Sequence, residues 1–146
     1  MSSGIKAVNF ASYQGTSDAW GLSSAVIVPS KAKTIALSGM VGYDMDNDVL
    51  LASVDEQIGE AFKNATRALL AAIPEYQSQE EAWKIVYDMV TYHTSPIADA
   101  TTSVQKYMKK YFGSHRPCWT AVGVKELVMP GLHFEMSIKA AAPDRS

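Results

Sequence analysis

The chain has 146 residues, 47% of them apolar and 19% charged, and a mass of 15.9 kDa. These values fit one ordinary globular domain over 1–146, with fraying expected at about 1–4 and 142–146. Thirteen basic against fifteen acidic residues give a net charge of −2, too balanced for binding driven by nucleic-acid or membrane phosphate. The single cysteine, Cys118, excludes an internal disulfide and a multi-cysteine zinc site. The longest apolar run, Ala68 to Ile73, is far short of the ~20 residues of a membrane helix. No presequence or lipidation pattern is readable at either end. The expectation is a soluble cytoplasmic protein.

In chain order, Ala7–Phe10, Ser24–Pro29 and Thr34–Ser38 read as successive strands, separated by Gly, Ser, Pro and Lys clusters. Gly39, Gly42 and Tyr43–Asp48 then interrupt the pattern. Val54, Ile58, Phe62, Ala65 and Leu69 recur at helical spacing. Ser53 is placed to cap that helix, Asp55 and Glu56 lie at its positive end, and Pro74 stops it. After the polar stretch Glu75–Glu81, the Val-, Ile-, Tyr- and Thr-rich run Trp83–His93 reads as a strand, although its first residues look helical. A second helix follows Pro96, with Val104, Tyr107, Met108 and Tyr111 on one face and Gly113 at its end. Cys118–Lys125 and Leu132–Ala140 read as the last strands, joined through Pro130-Gly131. In the last, Leu132, Phe134, Met136 and Ile138 alternate with His133, Glu135, Ser137 and Lys139. The order β-β-β-α-β-α-β-β predicts an α+β sandwich, a sheet with two helices on one face.

Few residues suggest chemistry by their pattern. Asp44-Met45-Asp46-Asn47-Asp48 imitates the start of a calcium loop, but Val49 stands where the loop needs glycine and Asp55 where it needs glutamate. It reads as a solvated turn. His93, His115 and His133 fall on separate elements with no HxxxH pair, so no metal site is expected. Cys118 reads as packing in a strand. There is no GxSxG, Walker or GxGxxG motif, and no cofactor is expected. Glu135 remains, central in a strongly patterned strand. On an open face it would be solvent decoration; covered by a neighbouring subunit, it would be a partly buried acid able to position or deprotonate water.

Ser38-Gly39, then Gln57 and Ala61-Phe62-Lys63-Asn64, then Tyr111-Phe112, Arg116-Pro117 and Phe134-Glu135-Met136 together resemble the RidA/YjgF family of reactive-intermediate deaminases. The resemblance runs from about Gly21 to Ala141. It implies a chorismate-mutase-like fold and a homotrimer with a small-molecule cleft between subunits. It also implies hydrolysis of enamines or imines to keto acids and ammonia. The family's water-orienting glutamate corresponds to Glu135. Its substrate-anchoring arginine corresponds to Trp119, its strand-start tyrosine to Ser23, and its cleft amide to Gln105. The implied site therefore comprises catalytic Glu135 with Trp119, Thr120, Ser38, Gly39, Ser23 and Gln105 around the ligand. Trp119 offers an aromatic face and one N–H where an arginine would grip a carboxylate, which favours a larger, flatter or less acidic ligand. Arg116, an odd number of residues earlier, is a poor replacement. A non-catalytic binding trimer is the alternative. The ribonuclease role sometimes attached to the family gains little from a net charge of −2.

Overall fold

A computed structural model describes residues 3–144. The longest element, helix α2 (Val54–Ala72), starts where Ser53 accepts a hydrogen bond from the Glu56 amide and Glu56 reaches back to the Ser53 amide, a complete capping box. Its apolar stripe, Ile58, Ala61, Phe62, Ala65 and Leu69, is fully buried. Helix α4 (Ile97–Phe112) follows Pro96 and ends at Gly113, whose φ of 59° suits glycine. Both helices cover one face of a five-stranded sheet.

The sheet runs β3 (Lys33–Ala36), β9 (Phe134–Ala142), β7 (Val86–His93) and β8 (Cys118–Gly123), with the short β4 (Met40–Val41) also pairing with β9. β7 is antiparallel to β9 and parallel to β8, the parallel pair being joined through α4. β3 pairs with Lys139–Ala142 and β4 with Glu135–Met136 of β9. The intervening Leu37–Gly39 therefore forms a break along the sheet edge. Phe134, Met136 and Ile138 face the helices and are buried, and the alternate residues Glu135 and Ser137 lie on the opposite, open face.

Phe62 centres an aromatic cluster, its ring 5.0 Å from Tyr111, 5.2 Å from Trp83 and 5.8 Å from Tyr107. Burying each such ring contributes about 1.5–3 kcal/mol. The Trp83 indole donates to Thr66 Oγ1 at 2.8 Å, so its one polar group is satisfied inside the core.

Several expectations need correcting. Trp83 belongs to a short helix α3 (Gln79–Lys84), capped by the Ser78 hydroxyl, and the strand begins only at Val86. The helical look of the run's first residues was real: Trp83 and Lys84 are the last residues of this helix, which Gln79–Ala82, good helix formers with two acids in the first turn, begin. The first three strands do not lie side by side: β1 (Lys6–Val8) and β2 (Ala25–Ile27) make a separate ribbon. Between them a 3₁₀ turn (Ala11–Tyr13) leads into α1 (Gln14–Trp20), which no apolar periodicity announced. The acidic stretch is the turn of a hairpin, β5 (Tyr43–Asp44) and β6 (Val49–Leu50). At the C-terminus, Ala142 is not frayed; it is buried and paired with Lys33. Among the described residues no helix is long and apolar enough to cross a membrane.

Candidate functional site

Two buried amides on α2 shape the sheet edge beside Glu135. Asn64 donates to the carbonyls of Val41 (3.0 Å) and Tyr43 (2.9 Å), fixing the bend from β4 into β5. Gln57 donates to Leu51 O (3.0 Å) and Gly131 O (2.8 Å) and accepts from the His133 amide (2.8 Å). Gly42 packs against the backbone of Gln57 so tightly that a Cβ would overlap it. These contacts hold the end of β4 beside β9, and before that strand Gly39 lies directly against the Glu135 carboxylate, which fills the space a side chain would need.

Glu135 is half-buried, paired across the sheet with Tyr92 on one side and Val41 on the other. Among the described residues its carboxylate makes no side-chain hydrogen bond and no ion pair. His133, its expected neighbour on the polar face, turns its ring to Thr94 (3.1 Å). Thr120 shares the open face but stands two strands away, in the row of Val90 and Ser137. Ser38, next to Gly39, is exposed.

Trp119 does not join this group within one chain. It pairs with Met89, whereas Glu135 pairs with Tyr92; three residues apart on β7, these partners point to opposite faces. Trp119 lies on the helix side, its indole N–H donating to Thr91 Oγ1 at 2.9 Å and its ring 6.3 Å from Trp20 of α1. Thr91 Oγ1 in turn meets His93 Nε2 at 2.8 Å. With Thr91 accepting from Trp119, its hydroxyl is free to donate to a neutral His93, and burial holds His93 below the ordinary histidine value. The indole is thus pinned from behind, presenting its ring to a hollow between α1 and α4.

The other expected site residues are engaged structurally. Ser23 is buried, its hydroxyl donating to Arg116 O and its amide to Pro117 O. Gln105 donates to Ala19 O of α1 (3.2 Å). Arg116 is held by Asp18 (2.7 Å) and Ser17 (3.0 Å), and this guanidinium keeps the Asp18 carboxyl below its usual range. Burial, with the Asp88 carboxylate nearby, pushes the Cys118 thiol up, away from nucleophilic character. In the hairpin, Asp44 accepts from Asn47 and the Asp46 amide, Asp46 pairs with Arg67 at 3.2 Å, and Asp48 accepts from Tyr43. What the sequence did not reveal is the 3₁₀ turn with α1, which together bring Tyr13, Thr16 and Trp20 to the Trp119 hollow. The one legible signal of α1 was Gly21, the left-handed residue that ends it.

A family model described as endoribonuclease L-PSP matches residues 18–142. Among solved structures, a conserved Rid-family protein of unknown function from Yersinia pestis is similar at a TM-score of 0.78 and 20% identity, over 94% of this chain and 98% of that one. A member of the YjgF/YER057c/UK114 family from Mycobacterium tuberculosis is similar at a TM-score of 0.58 and 22% identity, over 94% and 99%. No curated protein matches. The structural likenesses show the α+β fold, and the match across nearly the whole sequence places this chain in the RidA/YjgF family.

Proposed function

We propose that this chain is a small-molecule enzyme acting on an enamine, an imine or a related reactive intermediate, by hydrolytic deamination or tautomerisation. The observation that carries this reading is the half-buried Glu135 carboxylate, unpaired among the described residues and pressed against Gly39. A carboxylate so placed is free to exchange protons with a bound molecule. In hydrolysis, water adds to the imine carbon and gives a proton to Glu135. Glu135 returns that proton to nitrogen, giving an amino alcohol; the same carboxyl then carries the hydroxyl proton to the amine, and the carbon–nitrogen bond breaks as the carbonyl forms, leaving a carbonyl compound and ammonia. In tautomerisation the same carboxyl moves a proton between nitrogen and carbon without loss of ammonia.

Because Trp119 and Glu135 occupy opposite faces of one sheet, a cleft using both must be completed by a second copy of the chain. That requirement supports a ligand between subunits, as in the homotrimer that the family resemblance implies. Ribonuclease action gains no support from a net charge of −2.

The test compares ammonia release from a panel of imines and enamines by the native protein and by Glu135→Gln, with light scattering to establish the mass of the particle. Loss of a general acid–base group is expected to slow turnover about 10²–10⁴-fold, in a particle of about three 15.9 kDa chains. Equal rates in the two proteins overturn the role of Glu135. A non-catalytic binding protein is the second reading, favoured by the absence of a cationic anchor at Trp119; silence with every substrate, imine or enamine, selects it.

A further inference from the structure

We infer that the hollow between α1 and α4 holds an uncharged planar ring of the ligand, an inference that rests on the reading of this chain as a small-molecule binder. The hollow is shallow and open, with about 320 Å³ of space, and among the described residues no charged side chain lines it. Tyr13, Thr16 and Trp20 form one wall, Trp119 and Ala121 of β8 the floor, and Ile97 of α4 the far side. Space of this size accommodates one small organic molecule or a large part of one.

The chemistry of the walls decides the class of occupant. A carboxylate placed here would lie against apolar walls with no cation among the lining residues, Arg116 being held by Asp18. A flat uncharged ring gives up no charge hydration and can lie across the two indoles, whose ring centres are 6.3 Å apart with planes tilted by 55°. The Trp119 ring is already fixed by its bond to Thr91, so little side-chain freedom remains to be lost on binding. Thr16 supplies a hydroxyl that suits a neutral donor or acceptor on the ring, and Thr101, whose own proton goes to Ala98 O (3.2 Å), supplies an acceptor.

The probe is 2-naphthol, with 2-naphthoate as the same ring carrying a charge, titrated into the full-length ¹⁵N-labelled protein. The indole N–H signals report the site, and Trp83, fully buried and bonded to Thr66, is an internal reference. The expected result is that 2-naphthol shifts the Trp20 and Trp119 signals and leaves Trp83 in place. Trp20→Ala, a change at a surface position, is expected to weaken binding about tenfold, and 2-naphthoate to bind at least about tenfold more weakly than 2-naphthol. Trp119→Phe keeps the platform apolar and should retain most of the affinity. The inference is overturned if the two indoles stay silent up to the solubility limit, as they would with a neighbouring copy filling the hollow. Equal affinity for naphthoate, or unchanged affinity in Trp20→Ala, overturns it as well. Naphthol binding requires no turnover. Ammonia release without ring binding therefore removes this inference alone, and ring binding without ammonia release sustains it while removing the catalytic reading.

Discussion

At the scale of single residues, the contact between Gly39 and Glu135 concentrates the chemistry. Gly39 has an ordinary backbone conformation, so its importance is the space above it, which the Glu135 carboxylate occupies. Gly39→Ala would force the carboxylate aside while leaving an exposed edge otherwise intact. Displacing a reacting group by about 1 Å costs about 100-fold in rate. The expected outcome is a turnover number lowered to that extent with an unchanged melting temperature, read by the ammonia assay and by calorimetry. A parallel loss of stability would show that the glycine serves the fold instead. Glu135 was legible from the strict alternation around it. Its contact with Gly39 was not, because that depends on the break between β3 and β4, a property of strand pairing. The same gap explains Trp119: its separation from Arg116 was countable along one strand, but its face relative to Glu135 depends on registers that only the folded sheet supplies.

Among the elements, α2 was the most legible, from its cap to its proline stop, because an amphipathic helix writes its period into local sequence. Less visible was what its polar residues do from within the buried face. Gln57 is fully buried and joins three segments at once, the loop after β6, the turn at Gly131 and the amide of His133. Gln57→Leu matches it roughly in volume but strands two carbonyls and one N–H. With about 1–3 kcal/mol for each buried polar group left unpaired, a loss of about 3 kcal/mol or more is expected. For a chain of this size that corresponds to a fall in melting temperature of about 6–12 °C. A fall below about 2 °C would mean that water or a rearranged loop replaces these bonds. The elements that escaped sequence reading, α1, α3 and the β5–β6 hairpin, are short. α1 is held chiefly by polar contacts such as Asp18 to Arg116 and Ala19 to Gln105, which leave no apolar rhythm.

For the molecule as a whole, two histidines tie stability to pH. Burial lowers the pKa of both His93 and His115, the latter outweighing the opposing effect of its hydrogen bond to Val86 O. In the unfolded chain they protonate near 6.5; in the folded chain they resist the proton. Below that value the unfolded state binds more protons, so stability falls as pH drops and is level above it. Urea unfolding between pH 7 and pH 5 should show this loss, limited to about 1.4 kcal/mol per pH unit for each histidine. The carboxyls of Asp18, Asp44 and Asp55 are lowered too, by hydrogen bonds from Arg116, Asn47 and Lys106 to their charged forms, and their contribution disappears only in more acidic solution, as pH falls below about 3.8. A flat profile from pH 7 to pH 5 would contradict the buried, neutral state of both rings.

Strand β7 carries Thr91 beneath the indole on one face and Tyr92 beside Glu135 on the other. On the proposed reading the two half-sites share this strand but no side chain, which makes them separable in inheritance. Substitutions in α1 or at position 119 would then remodel what is recognised without passing through Glu135, and a lineage built on this scaffold would diversify its ligands while conserving one reaction.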